Sequence, residues 1–222
     1  SNATYAWDFR ESLTDFNGGE TITPVEATRT DASGLTFDSV DNYGTVPTTV
    51  QAGGSSTFVV EIYFTYTATG STELQSIIDF ENRDSNNNRF RFAITATSSI
   101  YVRGINSNGD IDLNGIYSVT DGAQYHVVLS WSDSDTMELY VNGGLISSHT
   151  VNLPLNSYSS QKIGNNNFNT SQHFNGTIHT LRFWNDPSSF DATDVAYLYA
   201  NRNTLTSTFS PNVSPTTSLT SI

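Results

Sequence analysis

Hydrophobic and polar residues alternate with a period of two along most of this chain. The longest alternating run is Thr57–Thr67 (TFVVEIYFTYT), which is β-branched and aromatic and contains neither Pro nor Gly. Alternation of this kind predicts β-strands with one buried face. Further strands are predicted at Leu74–Glu81, Arg89–Ala96, Ser99–Gly104, Gln124–Ser132 and Phe174–Trp184.

Clusters of Gly, Asn, Asp and Ser separate the predicted strands. They include Asp84–Asn88, Asn106–Asp110 and Asn142-Gly143-Gly144. An Asn-Gly pair that follows a Val-rich strand is the strongest short signal for a β-hairpin. Short strands at 8–12-residue spacing, with such turns between them, indicate an antiparallel sandwich or barrel. The pattern therefore predicts an all-β fold.

A single segment near the end of the chain, Asp191–Asn201, has a helical pattern. Asp191 or Thr193 is a suitable N-cap residue, and Val195, Leu198 and Tyr199 fall on one helical face. We predict one short C-terminal helix at this position.

The two ends of the chain differ in composition from the rest. Residues 203–222 lose all periodicity and become rich in Ser, Thr and Pro, which is typical of a tail or linker in a larger modular protein. A C-terminal strand held by Phe209 is the alternative. Ser1-Asn2-Ala3 resembles the remnant of a cleaved affinity tag. The predicted domain therefore spans residues 4–202, with 1–3 as tag remnant.

The net charge of −13 restricts the partners that the domain can have. Binding to nucleic acid or to an anionic membrane surface needs a cationic surface, so both are disfavoured. Acidic surfaces suit divalent cations or an extracellular environment, although solubility alone also explains them. The absence of cysteine excludes disulfides, thiolate metal sites and cysteine nucleophiles. No apolar run is long enough to span a bilayer, so we expect no membrane insertion.

Several motifs follow one another in the order of a known family. Leu35–Pro47 (LTFDSVDNYGTVP) leads from a Leu-x-Phe-Asp turn to a Tyr strand, and Gly122–Gly143 joins a Tyr-His-Val strand to Leu-Tyr-Val-Asn-Gly. Ile163-Gly164 and Phe174–Ile178 come next. Together they resemble the laminin-G-like/pentraxin-like domains of the concanavalin A-type lectin/glucanase superfamily, over roughly Tyr5–Asn201.

The resemblance implies a two-sheet antiparallel β-sandwich, a concanavalin A-like jelly roll, with one short C-terminal helix. It also implies a non-catalytic module, secreted or at the cell surface, that recognises a carbohydrate or an extracellular protein. Such a module would belong to an adhesin or a polysaccharide-active enzyme. The sequence carries no signal of the oligomeric state.

Relatives of this kind often hold calcium at one rim of the sandwich with loop oxygen atoms. Calcium takes six to eight oxygen ligands, which suits the Asn- and Asp-rich loops of this chain. The loop that follows Ile163-Gly164 has asparagines at positions 165–167 where pentraxins have carboxylates. We therefore expect calcium to bind weakly. The candidate calcium ligands are Asp84, Asn86, Asn88 and Asn165.

Carbohydrate recognition needs amide or carboxylate groups for the hydroxyls and an aromatic platform for a sugar face. Predicted loops supply both kinds of side chain, although plain solvated turns account for them equally well. The candidate ligand-binding residues are Asn106, Asn108, Asn114, Tyr117, Tyr158, Asn166, Phe168 and His173.

A glycoside hydrolase of the β-glucanase type is the alternative hypothesis. Asp79 and Glu81 would lie on one strand face, close to the ~5.5 Å that retaining hydrolysis requires. The third carboxylate, Asp84, is out of register for the glucanase pattern, and Asp110 and Asp112 form a second such pair without context. Polysaccharide lyase activity would need an Arg, Gln, His and Tyr constellation that the sequence does not display. We therefore predict a binding module rather than an enzyme.

Overall fold

The chain folds into two antiparallel β-sheets that pack face to face, as the alternation predicts. The computed structural model describes residues 3–17, 19–50, 57–82, 88–106, 109–132, 136–150, 158–167, 171–185, 187 and 189–203. The predicted tail, apart from residue 203, and the first two residues lie outside these ranges.

The elements in chain order are β1 (Tyr5–Asp8), β2 (Thr23–Val25), β3 (Thr28–Thr30), β4 (Gly34–Asp38), β5 (Tyr43–Thr45), β6 (Phe58–Tyr66), β7 (Gln75–Glu81), β8 (Arg89–Ile94), β9 (Ser99–Asn106), β10 (Gly109–Ser118), β11 (Gln124–Trp131), β12 (Thr136–Val141), β13 (Gly144–Thr150), β14 (Ser160–Ile163), β15 (Asn175–Asn185) and α1 (Ala192–Asn201). The first sheet has the order β13-β12-β11-β6-β15-β4-β3, and β1 pairs with β15. The second sheet has the order β10-β9-β8-β7-β14-β5-β2.

The core lies between the two sheets and is built from the inward positions of each strand. In β6, the residues Val60, Ile62 and Phe64 point into this core and are at most 1% exposed. Aromatic rings fill much of it, and Phe80 contacts Phe90 and Phe183 through ring pairs with centroids 5.7–6.5 Å apart. Buried rings of this size contribute a large part of the hydrophobic stabilisation.

The helix α1 covers the outer face of the first sheet, and its start is well capped. The side chain of Asp191 accepts hydrogen bonds from the backbone N–H groups of Thr193 and Asp194, while Asp194 accepts one from the N–H of Asp191. This reciprocal arrangement is a capping box. Val195 and Leu198 are fully buried against the sheet. The predicted helix, N-cap and buried face are confirmed.

A buried ionic cluster lies on the same outer face, next to α1. Oε1 of Glu61 is 2.8 Å from Nε2 of His126 and 3.0 Å from Nη2 of Arg182, and Nε of Arg182 is 3.0 Å from Oε2. The ring of Tyr199 from α1 packs beside His126. Burial alone would raise the pKa of Glu61, but Arg182 and His126 together outweigh it and hold that pKa below 4.5.

We expect Glu61→Gln to destabilise the domain by about 3–5 kcal/mol, because Arg182 would stay buried without its counter-ion. Glu61 has a lowered pKa in the folded state, so its contribution is complete above pH 4.5. That contribution is lost as the pH falls through the folded-state pKa. Chemical denaturation from pH 3 to pH 7 measures both effects.

Asp110→Asn is the matched control, because the side chain of Asp110 is 49% exposed where it pairs with Arg103. An exposed pair of this kind contributes about 0–1 kcal/mol. Equal losses in the two variants would contradict a special role for the buried cluster.

Candidate binding site

The connection between β14 and β15 leaves the second sheet and then returns to it. Gly164 begins the excursion with φ +81°, and a Cβ at this position would overlap the ring of Phe37. Its N–H donates to the carbonyl of Ile77, 2.9 Å away, and the N–H of Ser76 donates to the carbonyl of Gln172 at 3.3 Å. Residues 171–174 therefore lie beside β7, in line with β14.

A small open cleft lies between this returning segment, the β4–β5 turn and the β6–β7 connection. Its volume is about 40 Å³. That volume is below the ~300–1,000 Å³ of sites for drug-sized ligands. We call it the hydroxyl cleft. The residues that line it are Ser39, Thr69, Ser71, Leu74, Gln75, Ser171 and His173.

Hydrogen bonds within the protein orient the polar groups of the hydroxyl cleft. Nε2 of Gln75 donates to Oγ1 of Thr69 at 3.3 Å, and Oε1 accepts from the N–H of Asn175 at 3.0 Å. The hydroxyl oxygens of Thr69 and Ser71 also accept from the backbone N–H groups of Ser71 and Glu73. A hydroxyl that accepts in this way still has its own hydrogen to donate. The cleft thus presents fixed hydroxyl donors.

A row of charged residues crosses the outer face of the second sheet beside the connection. Asp79, Arg91, Arg103 and Asp112 lie opposite one another on β7, β8, β9 and β10, so they share this face. Exposure rises along the row, from 0% for the side chain of Asp79 to 50% for that of Asp112. Burial lowers the pKa of Arg91 more than the adjacent carboxylate of Asp79 raises it.

The two carboxylates of the hydrolase hypothesis lie on this face, as their spacing predicts, but both are buried. Asp79 is 0% and Glu81 is 1% exposed. Both oxygens of Asp79 accept from Arg89 at 3.0 and 2.6 Å, and Oδ2 also accepts from Arg91 at 3.0 Å and from the N–H of Asn167 at 3.1 Å. A carboxylate held this way cannot approach a glycosidic bond. The geometry therefore does not favour catalysis by this pair.

Two predicted ligand-binding residues lie on the β14–β15 connection. His173 lines the hydroxyl cleft and is 7% exposed. Asn166 is 4% exposed; its Oδ1 accepts from Nη2 of Arg89 at 3.0 Å and its Nδ2 donates to Gln172. Asn166 therefore does not line the cleft, but it contacts Gln172, which lies between the lining residues Ser171 and His173.

Those of the other predicted ligand-binding residues that the structure describes do not line this cleft. Asn114 and Tyr117 were expected on loops, which is wrong, because both lie in β10. Tyr158 is 5% exposed and packs on Phe80 in the core, so it presents no platform at the surface. Asn106 is the last residue of β9. Asn108 and Phe168 lie outside the described residues.

Two of the four candidate calcium ligands, Asn165 and Asn88, lie among the described residues. Asn165 is 3% exposed, and its Oδ1 accepts from the N–H of Asn166 at 2.6 Å. Asn88 precedes β8, and its carbonyl accepts from the N–H of Asn82 at 3.0 Å. Asp84 and Asn86 lie outside the described residues. Among those described, no three His, Asp or Glu side chains form a group that could hold a metal ion. The calcium site stays a prediction.

Sequence reasoning missed most of the cleft, including Ser39, Thr69, Ser71 and Gln75. The sequence pattern predicts residues 68–73 (ATGSTE) only as the break between two strands. The available signal was the run of hydroxyl residues just before a strand, but turns have the same composition.

Three carboxylates meet at the β4–β5 turn, next to Ser39. The proximity of Asp41 and a hydrogen bond to it raise the pKa of Glu26 above 4.5, and Asp38 adds to this effect. The backbone of Glu26 has a φ of +57°, and its carbonyl accepts from the amide of Asn42 at 2.7 Å. Negative charge therefore gathers around the turn that contains Ser39, a residue of the cleft lining.

This fold and its cleft define the chain as a concanavalin A-like β-sandwich. A family model described as Laminin_G_3, of the concanavalin A-like lectin/glucanases superfamily, matches residues 38–196. The chain belongs to this family, and the predicted resemblance is confirmed. A search of curated proteins finds no significant match.

Solved structures with the same fold come from several classes of protein. Domain 4 of AbnA, a GH43 extracellular arabinanase from Geobacillus stearothermophilus in complex with arabinotriose, has a TM-score of 0.67 at 16% identity, over 89% of this chain and 98% of that one. The botulinum neurotoxin serotype G binding domain has 0.67 at 18%, over 90% and 51%. Trypanosoma rangeli sialidase has 0.67 at 15%, over 91% and 33%.

The chain thus spans about half of the toxin binding domain and a third of the sialidase. At these identities the likeness shows the fold alone. No helix among the described residues has the length and apolarity needed to cross a membrane.

We expect Asp41→Asn to lower the pKa of Glu26 towards 4.5, because it removes the largest cause of the raised value. A carboxyl whose pKa is raised in the folded state stabilises the fold fully at a pH below its unfolded-state pKa. This stabilisation is lost as the pH rises through the folded-state pKa. The variant should therefore lose less stability than the parent between pH 4 and pH 7. NMR titration of the Glu26 carboxyl carbon measures the shift directly.

Asp31→Asn is the control, because Asp31 is exposed and pairs with Arg29. The same Glu26 titration curve in the parent and in Asp41→Asn would contradict the coupling.

Proposed function

We propose that the domain is a non-catalytic binding module that holds a carbohydrate in the hydroxyl cleft. The observation that carries this proposal is the convergence of four hydroxyls, the Gln75 amide and the His173 imidazole on one concave site. Sugar hydroxyls both donate and accept, so they match such a lining. The membership of the chain in a lectin/glucanase superfamily supports this function.

The chemistry of the cleft favours a neutral sugar. None of its seven lining residues is Asp, Glu, Lys or Arg, so nothing there would neutralise a uronate, sialate or sulfate group. The net charge of −13 and the carboxylates Glu26 and Asp41 near the β4–β5 turn oppose an anionic ligand further. The cleft is too small to enclose a sugar ring, so a sugar would contact it with one edge and its hydroxyl groups. AbnA domain 4, which has this fold, is in complex with arabinotriose, so neutral pentose oligosaccharides are the first probes.

We also propose that the module acts outside the cell, secreted or attached to the surface. The AbnA arabinanase that contains a domain of this fold is extracellular, and the second similar structure is the binding domain of a toxin. An extracellular protein is the alternative partner, and a failure of all sugar probes would direct the search there.

We expect millimolar-range binding of arabinotriose or another neutral oligosaccharide, since a single small polar cleft buries little apolar area. Ser71→Ala and Gln75→Ala should weaken it about tenfold, the effect of one or two lost hydrogen bonds. Titration followed by ¹H–¹⁵N NMR measures the affinity and shows which residues contact the sugar.

Asn114→Ala is the matched control, because Asn114 is an exposed amide on β10. Equal binding of galacturonate oligosaccharides would contradict the preference for neutral sugars. Shifts confined to residues outside the cleft would contradict this site.

Calcium is a further part of the proposal, at the predicted ligands Asp84, Asn86, Asn88 and Asn165. An ion that binds only the folded state stabilises it by about 2.7 kcal/mol at a hundredfold excess over Kd. We therefore expect a higher Tm in millimolar CaCl₂ than in EDTA, and we expect Asp84→Ala to abolish the difference. A rise that survives this substitution would place the ion elsewhere, and no rise at all would exclude a calcium-stabilised module.

A further inference from the structure

Five polar side chains form a continuous chain of hydrogen bonds behind the hydroxyl cleft. Asp79 accepts from Arg89, Arg89 donates to Asn166, Asn166 donates to Gln172, and Nε2 of Gln172 donates to Oε2 of Glu73 at 3.3 Å. We call this set, Asp79, Arg89, Asn166, Gln172 and Glu73, the brace. None of the five lines the cleft.

The buried end of the brace is rigid. Asp79 is 0% exposed in the middle of β7, between two arginines from β8. It also holds Asn167 twice, because its carboxylate accepts from the N–H and its carbonyl accepts from the side-chain amide at 2.6 Å. The planar guanidinium of Arg89 contacts Asp79 and Asn166 at the same time, which the single charge of a lysine could not reproduce.

The exposed end of the brace joins the two walls of the cleft. Gln172 lies between Ser171 and His173, which form one wall, and Glu73 lies between Ser71 and Leu74, which form the other. Each wall belongs to a connection between strands, and such segments move more readily than the sheet. The bond between Gln172 and Glu73 crosses from one wall to the other.

We propose that the brace sets the spacing of the two cleft walls, and that its members are positioning residues for the ligand. The carboxylate at Asp79, which a hydrolase would need as a catalyst, serves here as the fixed point of that brace. The expected effect of the brace on affinity rests on the proposed function. If the two walls are held at the wrong distance, a sugar cannot form hydrogen bonds with both of them at once.

Gln172 and Glu73 are the best positions for a test, because neither is in the core. Gln172→Glu keeps the acceptor for Asn166 but places two carboxylates across the cleft, and Glu73→Gln removes the charged acceptor. The double variant Glu73→Gln/Gln172→Glu restores one donor and one acceptor in reversed order. Ser159→Ala, which removes a hydrogen bond to Asn82 at 3.2 Å on the exposed surface, is the control.

The primary measurement is the ring C–H resonances of the four histidines, which need no ligand. We expect Gln172→Glu to shift only His173 and to weaken binding of the neutral sugar about tenfold. His126, His149 and His179 are internal controls. The double variant should return both the resonance and the affinity towards the parent, while Tm stays within a few degrees throughout.

The outcomes separate this proposal from the proposed function. An unchanged His173 resonance in Gln172→Glu would overturn the brace, even if the parent binds sugar. A shifted resonance without rescue by the double variant would also overturn it, because simple damage to the wall would produce that result. A shifted and rescued resonance in a protein that binds no neutral sugar would support the brace and overturn the carbohydrate function.

Discussion

The central strand β6 has to be covered on both of its faces, and most of the architecture depends on this constraint. Every residue of Phe58–Tyr66 except Thr65 is buried. The second sheet covers one face with an aromatic core, while α1 and nearby residues such as Ala3 and Phe190 cover part of the other. The outward position of Glu61 is therefore sealed, and a sealed carboxylate is stable only with the cationic and hydrogen-bonding partners that β11 and β15 supply.

The second sheet also contains a buried carboxylate, Asp79, but a different part of the chain covers it. Among the described residues no helix covers the outer face of this sheet, and the β14–β15 connection folds across the carboxylate instead. Arginines from β8 neutralise Asp79, and Asn166 and Asn167 bind to the resulting cluster. A buried ion pair of this kind adds little net stability. Its main effect is to fix one arrangement of the groups around it. Here that arrangement includes the wall of the hydroxyl cleft.

Local patterns predicted the fold well, because burial of a sheet face leaves a period-two signature. The run Thr57–Thr67 became β6, and the capped segment Asp191–Asn201 became α1 almost to the residue. The strand β10 was recognised poorly, since its Asn, Asp and Gly residues have low strand propensity. Pairing with β9 stabilises it, and a bulge between Asn114 and Ser118 accommodates its irregular end.

Candidate site residues were predicted less well, because residue type does not reveal exposure. Tyr158 was expected at the surface as a platform for sugar and lies in the core instead. Asn166 and His173 were both candidate ligand-binding residues, and the structure places only the histidine in the lining of the cleft. The hydroxyls of Thr69 and Ser71 form part of a cleft only because the segment with Ser171 and His173 lies opposite them.

The sequence by itself determined the all-β class, the positions of the longest strands, and the helix with its cap. Each follows from local periodicity or turn chemistry, which act within a few residues. Tertiary structure alone decided that Glu61 and Asp79 are buried and that Gln172 reaches Glu73. Those contacts join residues up to 121 positions apart, and only the packing of distant strands brings them together.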